Sequence, residues 1–106
     1  MVRKKEKLDL LPPEELEKAA ECLRVMGHPI RLRIVNLLMQ GEFSVGEIAE
    51  ICDLQPHHAS EHLRLLRGRG LLDKERRGRE VYYRIAHPRL PALLKCVRRT
   101  CEAGQQ

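Results

Sequence analysis

Between Ser44 and Ile85 the apolar period of the chain changes once, from 3.6 residues to 2, and a capping or breaking residue marks each change of direction. Ser44-Val45-Gly46-Glu47 is a capping box. The Ser hydroxyl and the Glu carboxylate satisfy two backbone N–H groups that a helix start leaves unpaired. The short helix it opens carries Ile48, Ala49, Ile51 and Cys52 as apolar positions. Asp53-Leu54-Gln55-Pro56 then reads as a tight turn, with Pro56 suited to the first position of a new helix. That helix is expected from about Pro56 to Arg67, with Ala59, Leu63 and Leu66 buried and Gly68 and Gly70 as its stop. Leu72–Glu75, a turn at Arg76-Arg77-Gly78-Arg79, and Glu80–Ile85 predict a β-hairpin. Val81, Tyr83 and Ile85 share one of its faces; Glu80, Tyr82 and Arg84 share the other.

The flanks are helical. Pro12-Pro13 open a first helix with Leu16, Ala19, Ala20, Leu23 and Met26 at helical spacing, ended by Gly27-His28-Pro29. A second helix carries Ile30, Ile34, Val35, Leu37 and Leu38 and stops at Gly41. Pro88 and Pro91 open a last helix with the stripe Leu90, Leu93, Leu94, Val97 and Cys101. A length of 106 residues allows one domain. Residues 1–11 read as a flexible basic arm and 12–103 as that domain. Phe43, Tyr82 and Tyr83 are the only aromatics, so the core must come from Leu, Ile, Val and Ala. The fold class is mainly α (α+β), in the order α-α-α-α-β-β-α: a helix-turn-helix followed by a hairpin wing.

Such a unit lays its second helix in the DNA major groove, where base edges differ in their donors and acceptors. The face opposite Ala59, Leu63 and Leu66 offers His57, His58, Ser60, Glu61 and Arg64. Gln55 sits at the helix start, where a phosphate would bind. Glu61 accepts from cytosine N4 and repels phosphate, so it favours selection over affinity. The wing adds Arg76, Arg77 and Arg79, suited to the backbone or a minor groove. Residues 55–84 hold eight Lys/Arg against four acids, a net of +4 out of +5 for the whole chain. The basic excess therefore sits on the reading element.

Val25-Met26-Gly27-His28-Pro29-Ile30-Arg31-Leu32-Arg33-Ile34 resembles the second-helix entry of the ArsR/SmtB family of bacterial winged-helix repressors. Ser44 to Leu72 resembles that family's helix-turn-helix without a gap, most specifically at Ser60-x-His62-Leu63-Arg64-x-Leu66 and Gly70-Leu71. Arg79 to Ile85 resembles its second wing strand. The resemblance spans about residues 16–101. It implies a homodimer joined through the first and last helices. It also implies binding to an inverted-repeat operator in double-stranded DNA, and release from it when an inducer binds.

Two kinds of metal site in that family were compared with the chain. The Cys-x-Cys positions at the third helix are Ser44 and Gly46, and no cysteine precedes Cys22. The last-helix positions are His87, Arg89, Thr100 and Ala103, of which one is a ligand type. Neither site is present. What remains is Cys22, Cys96 and Cys101 on the two dimer helices, with Cys22 and Cys96 ahead of Cys101. Cys96 and Cys101 lie about 140° apart on a helix, a poor arrangement for one ion or one disulfide. Facing thiolates from the two helices suit a soft ion such as As(III), Cu(I) or Zn(II), or a sulfur bridge formed by an oxidant or reactive sulfur species. Arg24, Arg98 and Arg99 nearby favour thiolates. Buried thiols also serve simply as small hydrophobes, and Cys52 is read as core.

No apolar run is long enough to span a membrane, and no signal peptide is read, so a cytoplasmic location and no membrane partner are expected. No phosphate loop, HExxH or nucleophile elbow occurs, so the chain is not read as an enzyme; His62 is read as a structural hydrogen-bonding residue. The competing readings are a winged helix without an effector and a protein-interaction module. The basic wing argues against the latter.

Overall fold

The computed structural model describes residues 8–104. The arm expected over residues 1–11 is thus described only at 8–11, which are exposed and form neither helix nor strand. The elements are α1 (Pro13–Met26), α2 (Pro29–Leu38), β1 (Phe43–Ser44), α3 (Val45–Ile51), α4 (Pro56–Gly68), β2 (Leu72–Arg77), β3 (Glu80–Ile85) and α5 (Leu90–Gly104). The three strands form one antiparallel sheet in the order β1-β3-β2. The expected helices and hairpin are present, and the chain is a winged helix-turn-helix.

Local chemistry sets the boundaries. Ser44 Oγ accepts from the Glu47 N–H at 3.1 Å, and Glu47 Oε1 accepts from the Ser44 N–H at 2.8 Å, so the capping box is complete. At the other end of α3, Asp53 takes a left-handed φ of 57°. The Leu54 N–H then reaches Ala49 O at 2.8 Å and the Asp53 N–H reaches Glu50 O at 3.2 Å. This is a Schellman stop, and it makes the sharp turn into α4. The same arrangement ends α4. Gly70 has φ 77°, with the Leu71 N–H on Leu66 O at 3.1 Å and the Gly70 N–H on Arg67 O at 2.9 Å.

The core is aliphatic. Ile34, Val35, Ile48, Leu63, Leu66 and Leu90 are its largest fully buried side chains. Truncating one such Leu or Ile to Ala costs about 2–5 kcal/mol. Ala59, Leu63 and Leu66 hold α4 against this core, as the sequence pattern requires. Cys52 is buried in the same cluster, and burial pushes its thiol pKa up.

The structure departs from expectation at three places. β1 was not foreseen: Phe43 and Ser44 become a strand by pairing with Tyr83 and Tyr82, a backbone event with no local signature. The wing turn is two residues, not four, because β2 continues through Arg76 and Arg77. Gly78 at φ 66°, followed by Arg79 with ordinary negative φ, matches the tight hairpin turn that needs glycine first. Ile51 is exposed rather than core. In keeping with the reading of the first and last helices as a dimer seam, Leu16 and Leu23 of α1 are 52% and 61% exposed, while Val25 and Met26 carry its burial. On α5, Leu90 is buried but Leu93 and Val97 are 44% and 47% exposed. Both outer helices show water an apolar stripe.

Candidate nucleic-acid interface

The buried triad of α4 determines what its other side presents. His57, His58, Glu61 and Arg64 are exposed there, and Ser60 is half-buried at the edge. The His57 and His58 rings lie 4.0 Å apart, centroid to centroid. Gln55 is the N-cap residue, and its side chain makes no capping hydrogen bond. The first N–H groups of α4 thus keep their capacity for an anionic oxygen. Ser60 and Arg79 line one groove of about 410 Å³ with the start of α3. The reading face and the wing tip are therefore neighbours.

The three wing arginines, grouped together by sequence, separate in the structure. Arg77 Nη2 lies 2.5 Å from Glu42 Oε1 and 2.9 Å from Glu75 Oε1, with its guanidinium 4.6 Å from the centroid of the Tyr82 ring. Arg77 accordingly holds the Glu75 carboxyl below its usual pKa. Arg84 adds contacts to Glu75 at 3.3 Å and Asp73 at 3.7 Å. The outer wing face is thus a paired ionic network of two arginines and three carboxylates. Arg76 and Arg79 make no ion pair with any described residue. Arg76 also shares the strand face of Lys74 and Leu72, across from Val81, Tyr83 and Ile85. Lys74, Arg76 and Arg79 are the wing's available cations among the described residues.

Sequence reading missed the anchor Glu42 and the contact that seats α4. Arg31 of α2 donates through Nε to His62 Nδ1 at 3.2 Å and through Nη1 to Val25 O at 3.0 Å. His62 therefore acts structurally, as expected. Its pKa is lowered, first by burial and then by Arg31 and His28. Spacing gives no sign of a contact between residues 31 apart.

The cysteines also separate. Cys22 and Cys96 line one apolar groove of about 460 Å³ between α1 and α5, with Leu71, Leu90, Leu93 and His87. Cys101 is exposed outside that groove. Arg24 is ion-paired with Glu21, and Arg98 with Glu102 at 3.2 Å, which offsets their charge near the thiols. Among the described residues, no three His, Cys, Asp or Glu side chains group as a metal-ligand set. No helix among them is long and apolar enough to cross a membrane.

Residues 28–74 match the family model of bacterial regulatory proteins of the arsR family. The transcriptional repressor PagR of Bacillus anthracis is 40% identical, over 76% of this chain and 81% of its own. The transcriptional activator HlyU of Vibrio cholerae is 32% identical, over 83% of this chain and 82% of its own. Among solved structures, the homodimeric winged helix-turn-helix DNA-binding domain from Mycobacterium bovis superposes with a TM-score of 0.81 at 28% identity, covering 94% of this chain and 93% of that one. PagR and HlyU are transcriptional regulators, and the Mycobacterium bovis domain is a possible ArsR-family one.

Proposed function

The chain belongs to the ArsR family of bacterial transcriptional regulators, and from that premise we propose that it is a homodimeric, sequence-specific repressor, cytoplasmic and switched by thiols on its dimer helices. The observation that carries the DNA-binding part is the groove shared by Ser60, Arg79 and Glu80, which joins the polar face of α4 to a wing-tip arginine that makes no ion pair with any described residue. His57, His58, Ser60, Glu61 and Arg64 read bases in the major groove. Arg76 and Arg79 hold backbone, and Gln55 sits over a phosphate. A second copy covers the apolar stripes of α1 and α5 and places two reading helices about 34 Å apart on an inverted repeat.

The switch uses Cys22 and Cys96, which share a groove between those same helices. Hydrogen peroxide takes two electrons and both thiol protons, leaving one S–S bond and two waters. A bridge there reshapes the α1–α5 contact and so the spacing of the reading helices. Moving the DNA-competent population from 99:1 to 1:99 takes about 5.5 kcal/mol, within the range of a covalent constraint. A soft metal ion bound by the same thiols would act at the same place.

The test is fluorescence anisotropy of reduced protein on DNA from upstream of its own gene, repeated across salt and after mild peroxide. A steep loss with salt, about −0.9 in log–log slope per neutralised phosphate, is expected. So is release on oxidation, reversal by reductant, and no response in Cys22→Ser. A flat salt dependence would replace the DNA reading with a protein-interaction module. Salt-sensitive binding that ignores both peroxide and soft metals would leave a repressor without a thiol effector.

A further inference from the structure

One side chain reaches both the reading helix and the first helix, alongside the Glu21–Arg69 ion pair at 2.6 Å that ties α1 to the C-cap of α4. Arg31 lies in α2, contacts α1 at the Val25 carbonyl and contacts α4 at His62 Nδ1. Both bonds come from one planar guanidinium, whose donors are fixed relative to each other. A displacement of the end of α1 that keeps both bonds therefore changes the orientation at His62. We propose that Arg31 is the positioning residue that sets the pose of α4 against α1, acting through the Nδ1 lone pair of His62. This rests on the reading of α4 as the DNA-reading helix and of α1 as a dimer helix.

The link requires neutral His62. With Nδ1 accepting, the proton sits on Nε2; a second proton would occupy Nδ1 and abolish the acceptor. It would also place a new cation beside Arg31. The surroundings are mostly hostile to that charge. Arg31 comes from α2. His28, in the α1–α2 turn, has its ring 5.1 Å from that of His62. On α4 itself, His58 and Arg64 add positive charge or the capacity for it, and Glu61 opposes them. The His62 pKa is accordingly below the ordinary histidine value. Because the folded-state pKa is the lower one, the link is intact above the ordinary value of about 6.5 and is lost as pH falls through the folded value.

The experiment compares four proteins on the same DNA, with circular dichroism to check that each folds. Arg31→Gln and His62→Leu are expected to weaken binding about tenfold at about pH 7.5, equivalent to about 1.4 kcal/mol. His62→Asn places an amide oxygen at the same δ position and cannot titrate, so it should restore wild-type affinity. As pH is lowered from about 7.5 through the His62 titration, followed by NMR, wild type should lose affinity relative to His62→Asn. A second arm needs no DNA and no variant. By NMR, the amides of α4 and of Val25 and Met26 in wild type should shift together with the His62 titration. A folded Arg31→Gln with unchanged affinity would overturn the proposal. So would His62→Asn behaving like His62→Leu, or α1 and α4 amides indifferent to the His62 proton. Absence of DNA binding by wild type would instead count against the repressor reading, with the NMR arm still deciding the Arg31 link.

Discussion

The reading unit and the outer helices of this chain are built to different degrees of completion. From Ser44 to Ile85, the start of α3 and the C-terminal ends of α3 and α4 are closed by hydrogen bonds, apolar residues are mostly covered, and wing charges are paired or exposed. α1 and α5 instead leave Leu16, Leu23, Leu93 and Val97 about half exposed. The Cα radius of gyration is 17.1 Å, against about 13 Å for a compact domain of this length. One chain is sufficient to shape a DNA-reading surface, whereas its outer helices call for a second chain. That division suits a regulator. An effector acting between α1 and α5, as proposed, would meet the part whose packing is least settled within the chain, without itself contacting the base-reading side chains.

The sharpest way to break the comparison is to charge the outer helix. Val97→Lys places an ammonium on an exposed apolar position, so a single chain loses little. In a dimer it buries a charge without a partner, which typically costs several kcal/mol. Sedimentation should show a monomer, and affinity for an inverted-repeat DNA should fall at least about 100-fold, with the circular dichroism spectrum unchanged. A dimer that persists with full affinity would mean that α5 is not the seam.

The same division explains what the sequence made legible. α3, α4 and the hairpin were readable because their signals are local: Ser44 with Glu47, Pro56, Gly70 and Gly78 act within a few residues of themselves. Cys52 was readable as core because the helical period places it there. Periodicity correctly found apolar stripes on α1 and α5, yet it cannot say what covers a stripe, so Leu16 and Leu23 look no different from core positions. Contacts between distant residues were the other blind spot. Glu42 with Arg77, and Arg31 with His62, are set by tertiary approach across 35 and 31 residues. β1 belongs with them, since only β3 makes Phe43-Ser44 a strand.

Within the reading unit, the wing permits a smaller and more discriminating test. Arg79→Ala removes an uncompensated cation at the tip and should reduce the log–log salt slope by about 1 per chain. Arg77→Ala removes a cation already facing Glu42 and Glu75. Its slope should change much less, although the wing loses its tie to the α2–β1 segment. Anisotropy titrations at four or more salt concentrations would separate the two. Equal slope changes would show that Arg77 leaves its acidic partners on DNA, and that the ion pairing of the outer face is a property of the unbound protein.

The smallest effect distinguishes the two helix stops. Both α3 and α4 end in a left-handed residue with the same pair of backbone hydrogen bonds, but α4 uses Gly70 and α3 uses Asp53. A side chain makes that conformation unfavourable, although Asp tolerates it better than most residues. Glycine removes the steric cost and adds backbone entropy to the unfolded chain, which offsets part of the gain. Asp53→Gly should therefore raise stability by only about 0.5 kcal/mol, a shift of about 2–4 °C in Tm, with DNA affinity unchanged. Thermal unfolding at matched protein concentration would show it. A loss of stability would mean that the Asp53 carboxylate contributes more to the turn than the left-handed backbone costs, and that the turn between α3 and α4 is held by a side chain as well as by its two backbone bonds.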